Sequence, residues 1–371
     1  MIHKKINPVY HNPMKALFIG GTGRISASIS ALILEQGWEL FLLNRGNRNS
    51  EIVTSGKSGN LQCTYRMREI ICDIRTESAE AILQKVKAEI GAKERFDVVA
   101  DFIAFTQDHV IKDHAIFKDL TRQYFFVSSA SAYQKPPASY LITESTPLVN
   151  PFWQYSRDKI ACEDFLIAKY RESGFPVTVI RPSHTYDEKT VPVGIHGKNG
   201  SWQVVKRIME GRPVIIHGDG TSLWTMTHSR DFAKAFAGLM GNIHAIGEAV
   251  QITSDETVTW NQVHEAIAGF FNVQLKAVHV SSDFLARCGS NDYSGSLSGD
   301  KANSVVFDNA KLKRLVPGFC AQIRFDQGVR ETIAYVLSHD QCRKDDPEFD
   351  AWCDKVIAVR EKAIADFNLP G

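Results

Sequence analysis

Ala16-Leu-Phe-Ile-Gly-Gly-Thr-Gly-Arg-Ile-Ser26 joins a short apolar run to a glycine-rich turn, and an amphipathic helix is expected from Ile25 to Gln36. A second apolar run, Glu39-Leu-Phe-Leu-Leu43, follows at once. Strand, helix and strand in this order form a βαβ unit, which implies a parallel sheet flanked by helices. In that context Gly20-x-x-Gly23-x-x-Ser26 has a mechanism. The first glycine permits the tight turn, the second lets backbone N–H groups approach a pyrophosphate, and a small third residue allows helix and strand to pack closely. Gly20, Thr22, Gly23, Arg24 and Ile25 are therefore candidate dinucleotide contacts.

The alternation continues, with strands expected over 68–72, 96–100, 124–127 and 177–180 and helices over 79–90, 110–118 and 153–170. Beyond Pro182 it breaks into a loop holding Pro192, Gly194, Gly197 and Gly200, then into short mixed elements with helices expected over 202–210, 231–239, 260–270, 329–337 and 351–365. This pattern predicts an α/β protein: a Rossmann-type doubly wound parallel sheet over residues 14–182 and a smaller mixed α/β substrate lobe over 183–340, some of whose elements return to the first domain. A C-terminal helix over 341–371 and a flexible tail over 1–13 complete the expected organisation.

Composition narrows the function. With 371 residues, 44% of them hydrophobic, the chain can bury one large core or two moderate ones. Its 43 basic residues against 42 acidic ones argue against a strongly electropositive nucleic-acid surface, so no nucleic-acid partner is expected. No apolar run approaches the roughly 20 residues that span a bilayer, and the basic start lacks an apolar h-region, so a cytoplasmic protein without a membrane partner is expected. Seven cysteines without a Cys-x-x-Cys pair read as reduced thiols, and no cluster has metal-ligand spacing.

Downstream of the glycine turn lies Tyr155-Ser-Arg-Asp-Lys159. Residues at i and i+4 share one helix face, so the Lys159 ammonium is placed to favour the ionised form of the Tyr155 phenol. Such a tyrosine exchanges a proton with a substrate hydroxyl near neutral pH, which a free phenol of pKa about 10 does poorly. The two motifs together point to hydride chemistry. At the end of the second strand, where a carboxylate would bind the adenosine ribose of NAD, stand Asn44 and Arg45. Arg45, helped by Arg24, is suited to a 2′-phosphate, which favours NADP; NAD held by Asn44 alone is the alternative.

With these motifs in this order, residues 15–337 resemble an extended short-chain dehydrogenase/reductase of the NAD-dependent epimerase/dehydratase type. Cys72-Asp73-Ile74-Arg75 is similar to the adenine-contacting turn of that family, and Phe96 to Ala104 to its fourth strand, which places Phe102, Ile103 and Ala104 against the cofactor. Phe126-Val-Ser-Ser-Ala-Ser-Ala-Tyr133 is similar to the segment supplying a catalytic serine, here Ser129 with Ser131 as the substitute, and Ile180-Arg-Pro182 to the strand end that meets the nicotinamide. The stretch from Gly218-Asp-Gly-Thr221 to Asp231 resembles the substrate-lobe signature, and residues 308–315 and 327–336 the C-terminal elements. The resemblance implies that Tyr155 is the general acid/base, that Lys159 holds ribose hydroxyls and lowers the tyrosine pKa, and that Ser129 hydrogen-bonds the reacting oxygen. It also implies a homodimer built on the helices over 110–118 and 153–170.

Departures from the family pattern bear on the substrate. His184 replaces an asparagine that contacts substrate, and Trp224 replaces an arginine that clamps the substrate diphosphate. Ala130-Ser131 stands where dehydratases carry Asp-Glu, which argues against dehydration. Asp101 is either a substrate-facing acid or a hydrogen-bonded capping residue. The expectation is an NAD(P)-dependent oxidoreductase acting at a secondary alcohol or ketone of a carbohydrate-like small molecule, not a nucleotide diphosphate sugar. Ser131, His184 and Trp224 are candidate substrate contacts. The counter-reading keeps Trp224 in the core and gives a phosphate to Lys198, Arg287 or Lys301. An NAD-dependent nucleotide-sugar epimerase and a non-catalytic RNA-binding or sensor protein are the alternative functions.

Overall fold

The computed structural model of the protein describes residues 13–46, 66–289 and 293–367; the tail expected over 1–13 lies, but for Pro13, outside the described residues. Seven strands form one parallel sheet: β1 (Lys15–Ile19), β2 (Glu39–Asn44), β3 (Arg66–Ile71), β4 (Val98–Asp101), β5 (Tyr124–Val127), β6 (Val177–Pro182) and β7 (Ala249–Ile252). Their order across the sheet is β7-β6-β5-β4-β1-β2-β3. Because helices cover both faces, strands such as Ala16-Leu-Phe-Ile19 are wholly buried and read as continuous apolar runs.

On one face lie α2 (Ala79–Ile90), α3 (Gln107–Phe117) and α4 (Gln154–Ser173), which bury Ile82, Val86, Val110, Phe117, Cys162 and Leu166. On the other, α1 (Ser26–Glu35) packs beside α6 (Ser229–Leu239), whose Phe236 ring meets Phe125 at 4.7 Å between centroids. The strand order reverses between β1 and β4, and the crevice beyond the carboxyl ends of the strands at such a switch point is where ligands bind in this architecture.

A third core fills the lobe. It gathers residues from α5 (Trp202–Met209), α7 (Trp260–Phe271), α8 (Phe325–Ser338) and α9 (Pro347–Asp366). The expected boundary at residue 182 is crossed in both directions: α6 and β7 return to the sheet from downstream, while Leu141–Ile142 pairs with Val306–Phe307 of the lobe. A sheet edge needs a partner strand, and the chain supplies it from beyond the first lobe segment. Among the described residues, no helix is long and apolar enough to cross a membrane.

One buried ion pair joins α4 to β6. Arg181 places Nη2 2.5 Å from Glu163 Oε2 and Nε 3.1 Å from Oε1, and its guanidinium lies 4.9 Å from the centre of the Tyr133 ring. The two side chains are 6% and 3% exposed, so neither charge has water to fall back on. Glu163→Ala is expected to cost about 3–5 kcal/mol because it strands the guanidinium, whereas a paired Glu163→Leu/Arg181→Met replacement is expected to cost far less. Urea midpoints measure both; a single variant as stable as the wild type would show that the pair does not hold the helix.

Candidate active site

The glycine turn is built as its spacing requires. Gly20 has φ +79°, and a Cβ there would stand 2.6 Å from Cγ2 of Ile103; one on Gly21 would stand 2.4 Å from Cδ2 of Leu42. Ser26 closes the turn on itself, its hydroxyl donating to the Gly20 carbonyl at 2.7 Å and accepting from the Gly23 N–H at 2.8 Å. The turn opens onto a cavity of about 550 Å³ that Gly20, Thr22, Gly23, Asn44, Arg45, Asp73, Ile74 and Ile103 line, together with Arg75 and His109. Of the expected cofactor contacts, Ala104 faces neither cavity: its side chain is core, its carbonyl accepts from Lys159 and its N–H is taken by Asp101.

Asp101 is the capping residue, not a substrate-facing acid. It is wholly buried, with Oδ1 accepting from the N–H groups of Ile103 at 2.6 Å and Ala104 at 2.8 Å, and Oδ2 accepting from Arg75 at 3.0 Å. It thereby fixes the turn after β4, whose Ile103 lines the 550 Å³ cavity.

A second cavity, about 650 Å³, lies between sheet and lobe, and Phe105 is part of the wall of both. Ser129, Tyr155 and Lys159 line it, as do Ser131, Ile25, Phe102, Pro182, His184 and Trp224. The helix stripe that faces the sheet runs Ser156, Lys159, Cys162, Glu163, Leu166, so Lys159 enters the interior at a core position. Its ammonium donates to the carbonyls of Ala104 at 2.6 Å and Val127 at 2.8 Å. Burial pushes Lys159 down to about 8.

Tyr155 differs from the expectation. Burial pushes its hydroxyl up, with the nearby Ser129 hydroxyl working against the shift, and Lys159 gives no resolved help. The reason is geometric: the two carbonyls hold the ammonium 5.7 Å from the centre of the tyrosine ring. Ser129 is itself oriented by a buried hydroxyl chain, 2.9 Å from Ser131 Oγ, which accepts from Ser156 at 2.8 Å. Asn150 ties this segment to the lobe, donating to the carbonyls of Ser131 at 2.8 Å and Gly299 at 2.7 Å.

Arg24 does not join Arg45. It turns into the second cavity, with Nη2 3.2 Å from Thr190 Oγ1 and Nε 3.9 Å from Asp187 Oδ1, because the turn after Gly23 sends its side chain towards the lobe. Sequence reasoning also missed Lys135 and Asp300, whose buried charges approach to 3.7 Å in the cavity wall. Residues so far apart in the chain leave no local pattern to read. Of the three cations named as phosphate candidates, Lys301 lines the cavity, while Lys198 pairs with Glu348 at 2.5 Å and Arg287 with Asp283 at 3.2 Å, both exposed.

Comparison with known proteins places this geometry. The model of the NAD dependent epimerase/dehydratase family matches residues 16–252, and the chain belongs to that family. It is 25% identical over 193 residues to a 2′-dehydrokanamycin reductase of Streptomyces kanamyceticus, covering 52% of this chain and 53% of that protein. It is 26% identical over 256 residues to the chloroplast stem-loop binding protein of 41 kDa b of Arabidopsis thaliana, covering 68% and 62%. The matches thus span about half to three-fifths of the length of these curated relatives. A dTDP-glucose 4,6-dehydratase of Bacillus anthracis, solved in complex with NAD, shares the fold at a TM-score of 0.67 and 19% identity, over 89% of this chain and 98% of that one.

The lysine generates a pH expectation. Its folded pKa of about 8 lies below the ordinary 10.5, so between those values the unfolded chain binds more protons and stability rises with pH, by at most about 1.4 kcal/mol per unit. In cofactor-free protein labelled with [ε-¹³C]lysine, one resonance should titrate near pH 8 and vanish in Lys159→Met. Titration of every lysine above about pH 10 would contradict the burial described.

Proposed function

We propose that this member of the family transfers a hydride between a dissociable NADP and a secondary alcohol or ketone carbon of a small carbohydrate-like substrate. The observation that carries the reading is the convergence of Ser129, Tyr155 and Lys159 on the cavity between sheet and lobe, whose neighbour opens on the glycine turn. The residues suit a dinucleotide: the turn has no room for a Cβ at Gly20 or Gly21, and Arg45 stands in the cavity wall beside Asn44 with no carboxylate at the ribose-reading position. Gly20, Thr22, Gly23, Arg45, Asp73, Ile74 and Ile103 would hold the nucleotide, with Phe102 and Pro182 on the reactive side. The nicotinamide supplies the hydride chemistry.

The chain supplies the rest. Ser129 donates a hydrogen bond to the reacting oxygen and steadies the charge that develops there. Tyr155 gives that oxygen its proton in reduction and takes it back in oxidation. Lys159, a cation below about pH 8 held at the carbonyls of Ala104 and Val127, would hold hydroxyls of the bound ribose. Ala130-Ser131 puts no acid pair beside Ser129, which supports a plain redox step over elimination. Trp224 in the cavity wall, where a diphosphate clamp would need a cation, supports a substrate without a nucleotide diphosphate. A reductase of 2′-dehydrokanamycin among the relatives is in keeping with such a substrate.

Calorimetric titration with NADP and NAD, preceded by mass spectrometry for carried-through cofactor, tests the cofactor. NADP is expected to bind at least about tenfold more tightly than NAD, and Arg45→Ala to erase that preference. NADPH consumption over a panel of keto sugars then tests the reaction, with Tyr155→Phe expected to lower kcat by about 10²–10⁴-fold while leaving NADP affinity intact. Tightly retained NAD would favour an epimerase, micromolar binding of UDP- or TDP-sugars would overturn the substrate class, and binding of neither nucleotide would overturn the reading itself.

A further inference from the structure

The charges lining the 650 Å³ cavity do not cancel. Lys135, 4% exposed, faces Asp300 at 3.7 Å, so those two answer one another. Arg24 is shared between Thr190 and Asp187, and Lys159 is held by two carbonyls. Lys301 is the less well answered: it feels Asp300 only from beyond ion-pair distance, Asp300 being in contact with Lys135, and among the described residues no hydrogen bond engages its ammonium. Its position is nevertheless tightly fixed. Lys301 ends a π-helical turn, Ser294–Lys301, and its carbonyl receives Trp260 Nε1 at 3.1 Å, His217 Nε2 at 3.2 Å and Ser222 Oγ at 3.3 Å. Three donors on one carbonyl hold the backbone while the side chain stays uncommitted.

A second, independent observation lies in the same wall. Trp224 is 2% exposed, and its indole N–H meets no acceptor, although a buried donor without a partner costs roughly 1–3 kcal/mol. Its ring is held by Trp260, 5.5 Å between centroids, and by the Lys135 ammonium 5.9 Å away. Thr185, 6% exposed and also in the wall, has an unpartnered hydroxyl. A cation with no carboxylate in contact and, buried in the same wall, neutral donors without acceptors suit an acceptor-rich anion.

We propose that the substrate carries one oxyanion substituent, a carboxylate or a phosphate ester, which sits on the Lys301 ammonium with the Trp224 indole N–H as second donor. The Lys135–Asp300 pair, one donor group and one acceptor group, then serves hydroxyls of the same molecule. Burial pushes Lys301 below its ordinary value, as follows when a cation loses water without gaining an equal counter-charge. The proposal rests on the reading of this cavity as the substrate site and names the chemical class that the site takes.

The test uses full-length protein labelled with [ε-¹³C]lysine and saturated with NADP, titrated at constant ionic strength with inorganic phosphate and, separately, acetate. The Lys301 resonance is assigned by its loss in Lys301→Met, and Lys198 serves as the exposed reference. Lys301 is expected to shift saturably with a millimolar midpoint, the anion with the lower midpoint identifying the substituent. Trp224→Phe, which keeps the ring and removes the donor, is expected to raise that midpoint about tenfold. A Lys301 signal that moves no more than that of Lys198 with either anion overturns the proposal and leaves the hydride-transfer reading standing. Failure of NADP to bind overturns both.

Discussion

A buried ammonium holds the two halves of the chemistry together. Lys159 reaches from the second turn of α4 to the carbonyls of Ala104, in the turn after β4, and Val127, at the end of the adjacent strand β5. A charge taken from water must recover its solvation from fixed dipoles, and here those dipoles are the loose carbonyls at the carboxyl edge of the sheet. One turn further along the same stripe, Glu163 does the opposite duty, receiving Arg181 from β6 and the hydroxyl of Ser128. A cation and an anion on one face of one helix thus lock it to three neighbouring strands. The position of Tyr155 beside Ser129 follows from where that helix is locked, more than from any contact of the tyrosine itself.

Much of this was legible in the chain. The glycine turn, the alternation of strands and helices, and the Tyr155/Lys159 spacing are local patterns, and local patterns survive folding. Glu163 was not singled out in the sequence, although it shares the buried stripe of α4 with Lys159, Cys162, Leu166 and Ser156. The direction of Arg24 was not legible, because a long side chain after a turn takes whichever cavity offers partners, and Thr190 and Asp187 come from the lobe. The lack of help to Tyr155 from Lys159 was hidden for a related reason: helical spacing puts two side chains on one face but says nothing of which carbonyls compete for the ammonium. Lys135, Asp300 and Arg75 belong to contacts between remote segments, and no window on the sequence contains both partners.

The cavity between sheet and lobe shows how the residue at one position changes the chemistry of a wall. With an indole at position 224, the wall presents a flat apolar ring with a single N–H where a guanidinium would present five donors and a full charge. The charge is not lost from the cavity but moved to Lys301, at the end of a helix turn whose unusual winding brings Asp300 and Lys301 to the same wall. The charged groups Asp300 and Lys301 thus reach this wall from the far end of the lobe, while Ser129, Tyr155 and Lys159 reach it from the sheet and α4.

That the sheet borrows its last strand from residues 249–252, and its covering helix from 229–239, has a consequence for how the protein is made. A chain emerging from the ribosome has completed six strands and the segments of Ser129, Tyr155 and Lys159 long before α6 exists to cover Phe18 and Phe125. Until then those aromatic faces and the open edge of β6 are bare, which is the condition under which nascent chains aggregate or recruit chaperones. The nucleotide-binding half is consequently no independent module of synthesis: its final closure waits for nearly seventy residues of lobe sequence to follow Pro182, so that the ligand crevice and the lobe above it mature together.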